Sequence, residues 1–128
     1  MAKIPNKLIE RRRYVRLYVP VAVFYTFPEN DKIHSAVTKD ISAEGLRFET
    51  QDAQLSESAL VELKLDLPGT PNPVHAKGKV AWKRRLSLED SAPSDVGIEI
   101  ISIEEDNKNT FLKFLCDLIY SLPKGDIK

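Results

Sequence analysis

The chain contains one cysteine, one methionine, one tryptophan and two histidines in 128 residues. A lone cysteine closes no intrachain disulfide. The histidines, His34 and His75, sit in different predicted elements, with no metal-ligand spacing to each other or to Cys116. Disulfide scaffolds and zinc sites are therefore excluded as organising features, and no resident cofactor is expected. Cys116 falls in an apolar helical stretch and is expected to be a buried small hydrophobe. No apolar run approaches the ~18 to 20 residues of a membrane span, and the first residues lack a signal-peptide core. A soluble cytoplasmic protein without membrane insertion is the expectation. Net charge is missing too: 19 basic side chains cancel 19 acidic ones, so no global field draws the molecule to nucleic acid or an anionic surface. Any anion binding has to be local. The chain also lacks internal repeats, low-complexity segments and the glycine-lysine-serine/threonine stretch of a P-loop.

What is present is alternation. A length of 128 residues with 42% hydrophobic side chains suits one domain whose core needs no staples. From Leu17 the odd positions Leu17, Val19, Val21, Val23, Tyr25 and Phe27 read as a long strand with one buried face. Pro20 marks an edge or a strand beginning, and Pro28 to Asp31 supply a turn. A short strand is expected at about His34 to Thr38, and Leu46, Phe48 and Thr50 open a third after a Ser-Ala-Glu-Gly loop. Leu60 to Leu67 alternates cleanly up to a Pro-Gly-rich turn. Val74, Ala76, Gly78, Val80 and Trp82 then share one face of a long antiparallel partner. Ser87 to Ser94 reads as a mobile loop, and Val96 to Ile100 as a last strand. Six short-spaced strands predict a closed all-β barrel or sandwich. At the end, Phe111, Leu112, Phe114, Leu115, Leu118, Ile119 and Leu122 recur at helical spacing. With Ser102 and Glu105 as a capping box, they predict a helix from about Glu104 to Ser121, stopped by Pro123 and Gly125. Its stripe is expected to dock on the barrel or on a partner subunit.

Positive charge is concentrated near the start. Up to position 16 the cations are Lys3, Lys7, Arg11, Arg12, Arg13 and Arg16, opposed only by Glu10. Guanidinium forks match phosphate oxygens and the O6/N7 edge of guanine, and stack on base faces. Taken alone, such a cluster is equally a solvated basic arm or a non-specific nucleic-acid patch. A second stretch, Lys39-Asp40-Ile41-Ser42-Ala43-Glu44-Gly45, lies between two predicted strands. An ionised Asp40 only accepts hydrogen bonds and suits the N1 and amino hydrogens of guanine. Ser42 carries a hydroxyl that reaches a base or phosphate, and Gly45 permits positive φ or close ligand approach. Taken alone, this is equally a turn whose polar side chains bond their own backbone.

Together, Arg12-x-x-x-Arg16 and Asp40-x-Ser42-x-x-Gly45 resemble the paired signature of the PilZ domain, a bacterial receptor for cyclic di-GMP. Gly78-Lys79-Val80-Ala81-Trp82 and Val96-Gly97-Ile98-Glu99-Ile100 resemble the family's later strands. The resemblance covers roughly residues 9 to 120. It implies a six-stranded antiparallel split β-barrel with a C-terminal α-helix, a PilZ-like domain over 10–122, a flexible segment over 1–9 and a tail over 123–128. It further implies that Arg12 and Arg16 hold guanine and phosphate, that Arg11 adds to the cationic clamp, and that Asp40, Ser42 and Gly45 line the other side of the ligand. Arg13 is a secondary candidate because the family tolerates many residues there. Trp82 is another, either packing on a base or, sharing a face with Gly78 and Val80, lying in the core. The expected ligand is cyclic di-GMP, with a downstream protein partner, no catalysis and no DNA or RNA target. The alternatives are a PilZ-like interaction module that does not bind the nucleotide, and a nucleic-acid-binding arm at Arg11 to Arg16. Carboxylates such as Glu57, Asp66 and Asp95 read as solvated surface.

Overall fold

Alternation turns every second side chain of a strand to one face, and in this chain those faces meet inside a barrel. The computed structural model describes residues 16–121. Strands β1 (Ala22–Phe27), β2 (Asn30–Ile41), β3 (Gly45–Thr50), β4 (Leu60–Asp66), β5 (Val74–Arg85) and β6 (Ser94–Ile103) precede a helix, α1 (Glu105–Ser121). The strands close in the order β1-β2-β3-β6-β5-β4, with every neighbouring pair antiparallel. The expected six-stranded antiparallel barrel with a C-terminal helix is the architecture observed. Val23, Phe48, Leu65, Val74 and Val96 are fully buried in its interior. No helix among the described residues is long and apolar enough to cross a membrane. The segment over 1–9 expected to be flexible, Arg11, Arg12, Arg13, Leu122 and the tail over 123–128 lie outside the described residues.

Several elements depart from their sequence reading for identifiable reasons. The long strand expected from Leu17 becomes a single bridge followed by a strand. Leu17 and Ile41 exchange backbone bonds of 2.9 and 3.0 Å, yet regular pairing starts only at Ala22. Pro20 has no N–H to give to the ladder, and Thr38 mends the gap with its side chain. Its Oγ1 accepts from Val21 N at 2.8 Å and donates to Val19 O at 2.7 Å. Strand β2 runs over 30–41 rather than 34–38, because Phe27 pairs with Asn30 across a turn of two residues. A bulge between Val80 and Trp82 breaks the alternation of β5. It releases Trp82 from the face of Gly78 and Val80 and leaves it 37% exposed.

The helix is seated differently from the predicted capping box. Ser102 stays in β6, opposite Lys77. The start of α1 is fixed from β5 instead: Glu104 N donates to His75 O at 3.0 Å, and His75 N donates to Asn107 Oδ1 at 2.7 Å. Glu105 and Asp106 put negative charge at the positive end of the helix dipole. Phe111, Phe114 and Leu115 bury against the barrel core. Cys116 is exposed, contrary to expectation. Each residue turns a helix by about 100°, so position 116 is carried off the stripe that Leu115 occupies. The loop expected over Ser87 to Ser94 ends one residue earlier, because Ser94 already pairs in β6, and it is tied at its base, where Leu86 N donates to Pro93 O at 3.0 Å.

Candidate functional site

The β2–β3 connection is a tight turn built by its own polar groups. Ser42 N donates to Gly45 O at 2.8 Å, while Ser42 Oγ accepts from Glu44 N at 3.3 Å. Gly45 opens β3 directly against β6. A Cβ on Gly45 would stand 2.5 Å from the carbonyl oxygen of Ile98, so no side chain fits. Its φ is not positive; among the described residues Gly69, at 82°, is the glycine with that conformation. The glycine is therefore required by the approach of two strands, not by a left-handed turn.

Beside this turn lies a cleft of about 320 Å³. Arg16, Asp40, Ser42, Gly45 and Trp82 all line it, so every predicted site residue within the described range comes to one place. Trp82 owes its position to the β5 bulge and to Gly97 opposite it in register, where a Cβ would collide with the indole. The core alternative for Trp82 is thus not what the fold adopts. Arg16 is exposed at the rim.

Asp40 is 4% exposed and already engaged. The β2–β3 register sets it opposite Arg47, whose Nε donates to Asp40 Oδ2 at 2.9 Å. Arg47 Nη1 lies 3.5 Å from Asp95 Oδ2, and Lys39 Nζ donates to Asp95 Oδ1 at 2.6 Å. Asp95, read from sequence as solvated, is 2% exposed. It is buried because β6 turns it onto the cations of β2 and β3. The ammonium of Lys39 is held above its ordinary pKa, first by the bond to Asp95 and further by Glu49 at 3.3 Å. Arg47 escapes the sequence reading, which names Lys39 without a role and reads Asp95 as surface. The available signal was the alternation of β3, which puts Arg47 on the same face as Gly45. The cleft itself is not basic: Arg16 and Arg47 face Asp40, Glu44 and Glu99, so two cations against three carboxylates leave one negative charge.

Two other features lie apart from this cleft. Inside the barrel, Tyr25 donates its hydroxyl to Asp52 Oδ2 at 2.8 Å, and His34 stacks on the Tyr25 ring with centroids 5.0 Å apart. Burial, reinforced by the bond to Asp52, pushes the Tyr25 phenol above its ordinary pKa. His34 Nδ1 is 3.5 Å from Asp52, and its Nε2 is buried without a partner among the described residues. A wider groove of about 700 Å³ runs over β1, β4 and β5. It mixes Glu62 and Glu104 with Lys64 and Lys77 and contains none of the predicted site residues.

The geometry can be set beside known proteins. No curated protein matches the chain. Among solved structures, MrkH of K. pneumonia in complex with c-di-GMP superposes with a TM-score of 0.70 at 21% identity, over 86% of this chain and 53% of that one. The PilZ domain of Escherichia coli YcgR with c-di-GMP gives 0.64 at 14%, over 86% and 92% respectively. The Bacillus subtilis inhibitor of motility, MotI/DgrA, gives 0.66 at 18%, over 86% and 50%. At these identities the likeness is one of fold, and the chain spans about half the length of MrkH and MotI/DgrA. The family model described as PilZ domain matches residues 10–116. With that match over most of its length and the six-stranded barrel it folds into, the chain belongs to the PilZ domain family.

Proposed function

We propose that this domain is a receptor for cyclic di-GMP that binds the nucleotide without converting it. The observation that carries the reading is the convergence of Arg16, Asp40, Ser42, Gly45 and Trp82 on one cleft. Their chemistry complements the ligand part by part. A guanidinium suits phosphate or the Hoogsteen edge, a carboxylate suits the Watson–Crick donors of guanine, and an indole suits a base face. The structural relatives MrkH and YcgR, solved with c-di-GMP, support the same ligand class.

The charge count sharpens the roles. One net negative charge among the described lining residues does not attract a dianionic ligand, so the remaining cations have to come from elsewhere. Arg11, Arg12 and Arg13 precede Arg16 in sequence, and we assign phosphate neutralisation to them together with Arg16. Engagement of that segment by the ligand would couple nucleotide binding to a surface for a protein partner.

Calorimetric titration tests the reading. Wild-type protein is expected to bind cyclic di-GMP saturably, and Arg16→Ala to lose about tenfold or more in affinity, as one charge-assisted contact implies. Equal affinity in Arg16→Ala would remove Arg16 from the site. Unsaturable, steeply salt-dependent binding of any RNA would replace the reading with a basic nucleic-acid arm.

A further inference from the structure

We propose that Arg47, which belongs to neither sequence motif, is a positioning residue that sets guanine selectivity by fixing the carboxylate of Asp40. The inference rests on the cyclic di-GMP reading above and deepens it. Asp40 stands opposite Arg47 across the β2–β3 ladder, immediately after the register shift between Thr38 and Asp40. Facing charges of opposite sign on antiparallel strands attract each other. Arg47 Nε donates to Asp40 Oδ2 at 2.9 Å, while among the described residues Oδ1 accepts no hydrogen bond. An ionised carboxylate has about four lone-pair sites, so the bond from Arg47 fixes its plane and leaves acceptor capacity on both oxygens.

Arg47 is itself held. Its Nη1 lies 3.5 Å from Asp95, which is 2% exposed and bound to Lys39 at 2.6 Å. Asp40, Arg47, Asp95 and Lys39 therefore form an alternating ladder across β2, β3 and β6, and a base meeting Asp40 meets a group whose orientation is set before binding. Preorganisation of this kind strengthens the correct ligand selectively. Guanine offers its N1 and amino hydrogens to a carboxylate. Adenine presents a bare N1 acceptor at the same edge and only its 6-amino donor beside it, so a fixed Asp40 accepts two hydrogen bonds from guanine but at most one from adenine, with its second oxygen facing the N1 lone pair.

The test is a set of titrations with cyclic di-GMP and cyclic di-AMP on the full chain. In Arg47→Gln, affinity for cyclic di-GMP should fall about tenfold, the effect of one hydrogen bond to a charged group, and affinity for cyclic di-AMP should not fall. In an Asp40→Asn background the same Arg47→Gln change should add less than about twofold, because Arg47 acts through Asp40. Melting curves check that each variant is folded. If Arg47→Gln does not fold, Arg47→Lys gives the same reading: a single ammonium does not span both Asp40 and Asp95, so selectivity should fall about threefold. Wild-type selectivity in a folded Arg47→Lys or Arg47→Gln overturns the proposal. So does an equal loss for both dinucleotides that persists in Asp40→Asn, which would make Arg47 a direct phosphate contact. Failure of the wild-type protein to bind cyclic di-GMP overturns the receptor reading instead.

Discussion

Replacing Gly45 by alanine separates two reasons why a glycine ends the Asp40-x-Ser42-x-x-Gly45 stretch. A glycine kept for ligand approach leaves the empty protein unharmed when it is substituted. The geometry here says otherwise. The added Cβ would stand 2.5 Å from the Ile98 carbonyl oxygen, 3.5 Å from its carbon and 3.7 Å from Glu99 Cα. All three neighbours are backbone atoms of β6, locked by the Leu46–Ile98 and Gly45–Glu99 pairs, and none can rotate away. Forcing a methyl group into such a contact costs about 1–3 kcal/mol, and the lost chain entropy of the unfolded glycine offsets about 0.4–1 kcal/mol of that. A net loss of about 1–2 kcal/mol lowers the midpoint of a domain this size by about 4–8 °C. Thermal unfolding followed by circular dichroism, without nucleotide, reads this directly. A midpoint within about 1 °C of wild type, together with lost nucleotide binding, would refute the reasoning and return Gly45 to a purely ligand-facing role.

Gly97→Ala should act on the site rather than on the fold, since the atoms it meets belong to the partly exposed Trp82 indole. The sole tryptophan should shift its emission to the red as it moves outward, and nucleotide affinity should fall roughly tenfold through the weakened stack. Tyr25 carries a pH dependence of definite sign. Its phenol pKa is raised in the folded state, first by burial and then by the bond to Asp52. Its contribution to stability is therefore fully present below the ordinary tyrosine value near 10 and is lost as pH rises toward the folded-state value. Spectrophotometric titration should show Tyr25 ionising only with unfolding at strongly alkaline pH, and Tyr25→Phe should remove that lagging component. A Tyr25 that ionises at its ordinary value in the folded protein would contradict the assignment.

Much of the barrel was legible because its interior obeys a simple period. Val61, Leu63 and Leu65 face in and Glu62, Lys64 and Asp66 face out, as alternation demands. What broke the period was invisible to it. The bulge after Val80 turned Trp82 from an inward position to the cleft, and no single residue type announces a bulge. Ser102 and Glu105 had the spacing of a capping box, but strand pairing with Lys77 claimed Ser102 first. The site was legible to the extent that it resides in two contiguous stretches, of which Arg16 and the Asp40 to Gly45 turn converge. Arg47 and Asp95 lie 48 residues apart in the chain and meet only through the β3–β6 pairing. Long-range ion pairs between strands leave no local mark, so Asp95 read as one more surface carboxylate.

The central claim, that cyclic di-GMP occupies the Arg16–Asp40–Trp82 cleft, is tested most directly by amide and indole chemical shifts in a nitrogen-15 correlation spectrum as the nucleotide is added. Trp82 supplies a single indole N–H resonance, because the chain has one tryptophan. The account predicts that this resonance moves together with the amides of Asp40, Ser42, Gly45, Arg47 and Gly97, and that all of them saturate at one concentration. Shifts confined to Phe24, Lys64 and Lys77 in the wider groove, or no saturable shift at all, would contradict it.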